Sequence, residues 1–297
     1  MSPAYAYYPG CSGLGTSMEY EQSTRAICEA LDVNLVDIPD WSCCGSTPAH
    51  TVDHTLSCAL AARNLGLVEK MGLDTVITPC PSCLTNLKTA VHRMGDEEFM
   101  RRVNSLLDEP VGNTVRVKSV LQALIEDVGP EKLAERVVRP LSGLRVAPYY
   151  GCIMNRPPEV MEFDDHENPV AMDRLMEAIG AEVAPFPLKV ECCGASFGVA
   201  RKDVVARLSG KLLDLAEANQ AMAMVTACPL CQMNLDLRQG QINAATKSQH
   251  EMPVFYYTQL IGLALGLDES SLGLNKLCVN PGLALREAER KTAEAAS

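Results

Sequence analysis

The stretch Thr78-Pro79-Cys80-Pro81-Ser82-Cys83, with Asn86 and Leu87 after it, recurs as Thr226-Ala227-Cys228-Pro229-Leu230-Cys231, with Asn234 and Leu235 after it, at a constant offset of 148 residues. Each copy is entered by a short β-favouring run, Thr75-Val76-Ile77-Thr78 or Met224-Val225-Thr226, which reads as a strand delivering a cysteine into a turn. Upstream of each lies an adjacent pair followed by glycine, Cys43-Cys44-Gly45 and Cys192-Cys193-Gly194. Further upstream is a single cysteine, in Tyr7-Tyr8-Pro9-Gly10-Cys11 and in Tyr149-Tyr150-Gly151-Cys152. Ten of the thirteen cysteines therefore fall into two sets of five with one internal order. A shared period of that length means a duplicated domain, not a solenoid.

The elements around the cysteines repeat as well. In the first half, Tyr5 to Tyr8 reads as a strand, and Tyr20, Thr24, Ile27 and Leu31 recur at helical spacing. Leu35 to Ile38 is a strand before the Cys-Cys-Gly loop, and Leu56, Leu60, Leu67 and Met71 define one face of a second helix. In the second half, Arg145-Val146-Ala147 and Glu182-Val183-Ala184 are strands, and Val204, Leu208, Leu212 and Leu215 mark a long helix. Strands alternating with helices predict an α/β fold of two duplicated domains, each a small parallel sheet flanked by helices, the two related by pseudo-twofold symmetry. Residues 1–142 form the first domain with a helical extension, and residues 143–297 the second with a C-terminal one. Val120 to Ile125 and Tyr257 to Ile261 are matching helices packed on each domain, and the tail from Arg286 is a helix or frayed end. Every cysteine group follows a strand, the position where parallel sheets gather their sites.

Composition narrows the function. A chain of 297 residues with 47% hydrophobic and 21% charged residues buries a core without needing cysteines to staple it. The net charge of −11, with no dense basic cluster, argues against nucleic-acid binding. Met1 to Tyr5 lack the basic start and apolar run of a signal peptide, and Leu260 to Leu267 is too short to span a bilayer. A cytoplasmic protein without its own membrane span is expected, and in that compartment patterned cysteines mean metal or redox chemistry more often than disulfides.

The pattern selects among metals. A Cys₄ zinc site usually pairs two Cys-x-x-Cys units, whereas each half here has one. Adjacent cysteines sit naturally on two neighbouring irons, and five thiolates exceed the four that an ordinary cubane takes. The count points to an irregular multi-iron cluster in each half; zinc in one half, as a docking protein would hold it, is the alternative. Gly45 and Gly194 suit a close backbone approach and unusual φ/ψ, with N–H groups that tune a cluster; simple turn chemistry is the plainer reading.

The order Cys, Cys-Cys-Gly, Cys-x-x-Cys resembles the cysteine-rich "CCG" domain, and two intact copies in one chain resemble the catalytic B-type component of heterodisulfide reductase over Tyr5 to Leu237. The resemblance implies two noncubane [4Fe-4S] clusters facing one cavity, with a disulfide cleaved between them. It assigns Cys11, Cys43, Cys44, Cys80 and Cys83 to one cluster, and Cys152, Cys192, Cys193, Cys228 and Cys231 to the other. It also implies partners: a ferredoxin-like C-type subunit, an FAD-containing iron–sulfur A-type subunit, and a small thiol or protein disulfide as substrate. This chain has no ferredoxin-like cysteine run and no dinucleotide fingerprint, so its electrons come through another polypeptide. Related CCG proteins serve succinate, lactate and glycolate dehydrogenases, so an electron-transfer or anchoring subunit of that type is the rival reading.

Other residues have competing roles. His50, with His54, follows the first Cys-Cys-Gly loop and is a candidate proton donor to a product thiolate. Arg201 and Lys202 either steer an anionic substrate or begin an exposed helix. Trp41 and Glu191 precede the cysteine pairs and shape their pockets. Cys28, Cys58 and Cys278 lie outside the repeat and read as packing residues, as do the methionines.

Overall fold

The computed structural model describes residues 4–46 and 48–295. The first half contains β1 (Ala4–Tyr7), α1 (Met18–Ala30), β2 (Asn34–Asp37), α2 (His54–Lys70), β3 (Thr75–Thr78), α3 (Pro81–Arg93), β4 (Arg116–Ser119) and α4 (Val120–Ala123). The second repeats the plan with β5 (Arg145–Tyr149), α5 (Ala171–Ala178), β6 (Glu182–Val183), α6 (Lys202–Ala218), β7 (Ala223–Thr226), α7 (Pro229–Gln232), β8 (Val254–Tyr256) and α8 (Tyr257–Ala264). Helix α9 (Gly282–Ala295) follows.

Each half is α/β, with one four-stranded parallel sheet flanked by helices, in the orders β2-β1-β3-β4 and β6-β5-β7-β8. Strands β3 and β7 are buried throughout, as the centre of a covered parallel sheet requires. The crossovers out of β1 and β2 run in opposite directions, so right-handed connections send α1 and α2 to opposite faces. That reversal opens a crevice at the carboxyl ends of β1 and β3, and likewise of β5 and β7.

The halves pack reciprocally, as a pseudo-twofold axis generates: α1 lies against α8, and α5 against α4. Tyr20 stacks on Tyr256 with ring centroids 4.0 Å apart, and the Ser23 and Thr258 hydroxyls bond at 2.7 Å. The Lys88 ammonium reaches the Met161 carbonyl, and one apolar cluster runs through both halves.

Three sequence expectations need correcting. Each sheet has a fourth strand, β4 or β8, immediately before the expected apolar helix. Those strands are four and three residues long, and Arg116-Val117-Lys118-Ser119 carries two cations, so neither offers a run from which alternation can be read. Leu56 is 42% exposed, not on the buried face of α2, which is formed by Cys58, Ala61, Ala62, Leu65 and Val68. In α6 the buried face is Val205, Ser209, Leu212 and Ala216. Small residues let these helices sit close on the sheet, and the larger leucines flank the contact.

Candidate metal centres

Each cysteine group sits at the end of a strand. Cys11 follows β1, the pair Cys43-Cys44 follows β2, and Cys80 follows β3; Cys152, Cys192-Cys193 and Cys228 stand in the same relation to β5, β6 and β7. The Cys-Pro-x-Cys unit is a helix start and not a free turn. Cys80 and Cys228 are N-cap residues with extended backbones, and Pro81 and Pro229 open α3 and α7, where proline's missing N–H costs nothing.

The sulfurs of each set converge. Cys44 and Cys83 lie 3.5 Å apart, and Cys193 and Cys231 3.6 Å apart. Cys11, which feels the charges of Cys43, Cys80 and Cys44, and Cys152, which feels those of Cys192, Cys193 and Cys228, complete the two quintets. In both, the last cysteine of the pair and both of the Cys-Pro-x-Cys unit are buried, while the first of the pair is exposed and the single cysteine stands partly or wholly open. Among the described residues no three His, Cys, Asp or Glu side chains converge tightly enough to hold one metal ion as they stand.

Acidity is divided the same way in each half. Hydrogen bonding from Cys83, helped by the backbone N–H groups of Cys83 and Ser82 and by the Ser12 hydroxyl, lowers Cys80 to about 6. Hydrogen bonding from Cys231, then from Asn234 and the Ala195 N–H, lowers Cys193 to about 7. Cys44 is lowered by Cys83 and by the Ser46 N–H. The donors Cys83 and Cys231 are correspondingly raised, and burial raises Cys11, and Cys152 to about 12. Crowded thiols share few negative charges unless a cation joins them.

Gly45 and Gly194 have the unusual backbone expected of them, but the glycines whose absent Cβ faces sulfur are a different pair. Gly45 and Gly194 have φ of +76° and +85°, and the space a Cβ would need is filled by Leu60 and Val205 of the following helices. The glycines facing sulfur are Gly10 and Gly151, at φ +70° and +77°, where a Cβ would stand 2.8 Å from Cys83 Sγ and 3.0 Å from Cys231 Sγ. The N–H groups after each pair point at cysteine sulfur; Gly194 donates to Cys192 Sγ at 3.2 Å.

Two further pairs within the repeat support the cysteine loops, a role that sequence reasoning missed. Tyr8 and Tyr149 donate their hydroxyls, each at 2.6 Å, to the carbonyls of Ser42 and Glu191, the residues just before each Cys-Cys-Gly. Asn86 donates to the Cys44 carbonyl at 3.0 Å, and Asn234 to the Cys193 carbonyl at 3.4 Å. Their recurrence in both halves is the signal that marks them.

The remaining candidates have plainer surroundings. His50 is exposed on the helix Pro48–Val52, and His54 is exposed at the start of α2. Arg201 pairs with Asp203 at 2.8 Å and Lys202 is exposed at the start of α6. Trp41 packs edge-on against Tyr8 at 5.2 Å. Cys28 and Cys58 are buried packing residues, whereas Cys278 is exposed and its N–H donates to Asp236.

Two parallel α/β units, each gathering five thiols at its switch point, define a duplicated cysteine-site protein. The family it represents is shown by comparison: the chain belongs to the CCG cysteine-rich domain family, whose profile matches residues 5–88 and again 146–236. It is 36% identical over 280 residues to the 8-methylmenaquinol:fumarate reductase membrane anchor subunit of Wolinella succinogenes, covering 93% of this chain and 96% of that one. It is 34% identical over 268 residues to the B-type component of the ferredoxin:CoB-CoM heterodisulfide reductase of Methanosarcina mazei, covering 87% and 88%. A hypothetical protein from Helicobacter pylori superposes with a TM-score of 0.75 at 13% identity over 93% of this chain and 52% of that one, a likeness of fold alone. Among the described residues no helix is long and apolar enough to cross a membrane.

Proposed function

We propose that this chain is the iron–sulfur subunit of a heterodisulfide-reductase-like complex, where a disulfide is reduced between two noncubane [4Fe-4S] clusters. Cys11, Cys43, Cys44, Cys80 and Cys83 hold one cluster, and Cys152, Cys192, Cys193, Cys228 and Cys231 the other. The observation that carries this reading is the pair of complete five-thiol sets, each converging at a switch point. The fit to a group larger than one ion is supported by the thiol count and by the cradles at Gly10 and Gly151, which a Cβ would fill.

When bound, the clusters supply single electrons, two of which a disulfide requires. The chain's own residues hold the ligands in place. Tyr8 and Tyr149 tie down the loops that carry the adjacent pairs, and Asn86 and Asn234 fix the buried member of each pair through its carbonyl. The exposed Cys11, Cys43 and Cys192 leave the outer side of each set open to a small thiol. Electrons then come from ferredoxin-like and FAD-containing partner subunits.

The relative from Wolinella succinogenes favours a second reading, an anchoring and electron-transfer subunit of a fumarate reductase type complex; identities of 36% and 34% do not separate the two. Anaerobic isolation with partners attached tests both. Iron, acid-labile sulfide and visible absorption, with turnover of a disulfide, support the first. Cluster-containing protein bound to a flavin fumarate reductase subunit supports the second. Stoichiometric zinc without sulfide refutes both.

A further inference from the structure

We infer that Lys88 and Asp236 set the two clusters at different potentials, the one held by the Cys11 set being easier to reduce than the one held by the Cys152 set. This rests on the reading that each thiol set holds an iron–sulfur cluster. The two residues occupy the same position of the repeat, directly after Asn86-Leu87 and Asn234-Leu235 and five residues beyond Cys83 and Cys231. Lys88 lies on α3, whose first turn carries Cys83, and Asp236 lies on the helical turn Met233–Leu237 that continues α7 from Cys231. Five helical residues rise about 7 Å, so each side chain stands on the order of 10 Å from the thiol set of its own half.

Both are buried, Lys88 at 9% and Asp236 at 2% exposure, and their charges are opposite. The Lys88 ammonium donates to the Met161 carbonyl. The Asp236 carboxylate accepts from the N–H groups of Cys278 at 2.7 Å and Val279 at 3.1 Å, and from the Gln232 amide at 3.2 Å. Among the described residues neither side chain belongs to an ion pair, whereas the other buried ions near a cysteine loop, Lys189 and Asp173, pair with each other. Glu19, buried on α1, has Lys276 as a countercharge. Burial lowers Lys88 and raises Asp236. Their ordinary values lie about three pH units or more from neutrality, and the hydrogen bonds favour the charged forms. Anchoring a chain segment needs no net charge. A buried cation favours the electron-rich state of a nearby cluster and a buried anion opposes it. The ligands are duplicated; the charges beside them are not.

The test is a potentiometric titration of the cluster-loaded full-length protein, followed by electron paramagnetic resonance, with each half's signal assigned by its loss in Cys44→Ala or Cys193→Ala. Lys88→Met and Asp236→Asn each remove one charge at nearly constant volume. A unit charge at about 10–12 Å, with an effective dielectric constant of about 20, shifts a one-electron equilibrium about tenfold, or 59 mV. Expected are a higher midpoint for the first half in the unaltered protein, a fall of that midpoint in Lys88→Met, and a rise of the second half's midpoint in Asp236→Asn. A loosened site that admits water would move both variants the same way, so the opposite signs separate charge from structure. Equal midpoints in the unaltered protein, an unmoved midpoint, or a shift of the wrong sign overturns the inference. Each substitution is read on its own, so one that fails to fold leaves the other to decide. Iron and sulfide are assayed first: protein without clusters overturns the proposed function as well, whereas loaded protein with unmoved potentials overturns this inference alone.

Discussion

Replacing Gly10 by alanine separates site geometry from fold stability. Gly10 has φ +70°, and an added Cβ would stand 2.8 Å from Cys83 Sγ. Restoring an ordinary contact of about 3.5–4.0 Å moves the sulfur or its loop by roughly 0.7–1.2 Å. Metal–ligand distances tolerate only about 0.2 Å. The left-handed backbone costs a further ~1–2 kcal/mol, small beside a typical stability of about 5–15 kcal/mol. Gly72 supplies the control, with φ +68° and nothing within 4 Å of its absent Cβ. Both variants are expected to lose about 1–2 kcal/mol in urea denaturation, while Gly10→Ala alone loses about half of the bound iron, because the second set is untouched. Full iron in Gly10→Ala, or an equal loss in Gly72→Ala, would refute the reasoning.

Cys44→Ala and Cys193→Ala should each empty one half of iron, spare the other and abolish disulfide turnover; full activity with one cluster left would contradict the two-cluster reading. Lys189→Met should cost about 3–5 kcal/mol in urea denaturation, because the side chains of Lys189 and Asp173 are only 10% and 11% exposed and Asp173 would be left charged with the Tyr150 hydroxyl as its remaining partner. Adding Asp173→Leu should recover most of that loss. Tyr149→Phe should cost about 0.5–1.5 kcal/mol by thermal denaturation. Tyr8→Phe should cost less, because Asn64 also donates to the Ser42 carbonyl at 3.0 Å, and the opposite order would contradict this account of the loops.

The duplication, the parallel sheets and the grouping of the ten thiols were legible because each leaves a local mark: a repeated motif, a β-branched run, a cysteine after each strand. The helix faces were misread for a physical reason. Helical periodicity in the sequence is carried by large side chains such as Leu56, Leu60 and Leu67, whereas α2 meets its neighbours through Cys58, Ala61 and Ala62. The role of Gly10 was hidden in the same way. The sequence shows glycine beside cysteine in two places, and only coordinates show that Cys83 Sγ occupies the Cβ position of one while Leu60 crowds the other. Tyr20 and Tyr256 are 236 residues apart, and no local pattern announces that they stack.

The contact between the halves explains why the unit is present twice in one chain. A single half would expose the face carrying α1 and α4 or α5 and α8, where Tyr20, Tyr256, Tyr257, Leu260 and Ile261 are buried. Burying each such side chain contributes about 1.5–3 kcal/mol, so the halves cannot part without losing much of the fold's stability. The same residues tie the two sheets together close to the cysteine-bearing ends, since Tyr256 pairs in register with Thr226 at the end of β7 and stacks on Tyr20 of the first half. The interface that stabilises the fold thereby also fixes the spacing of the two thiol sets, and chemistry that needs both at once gains a rigid separation from packing alone.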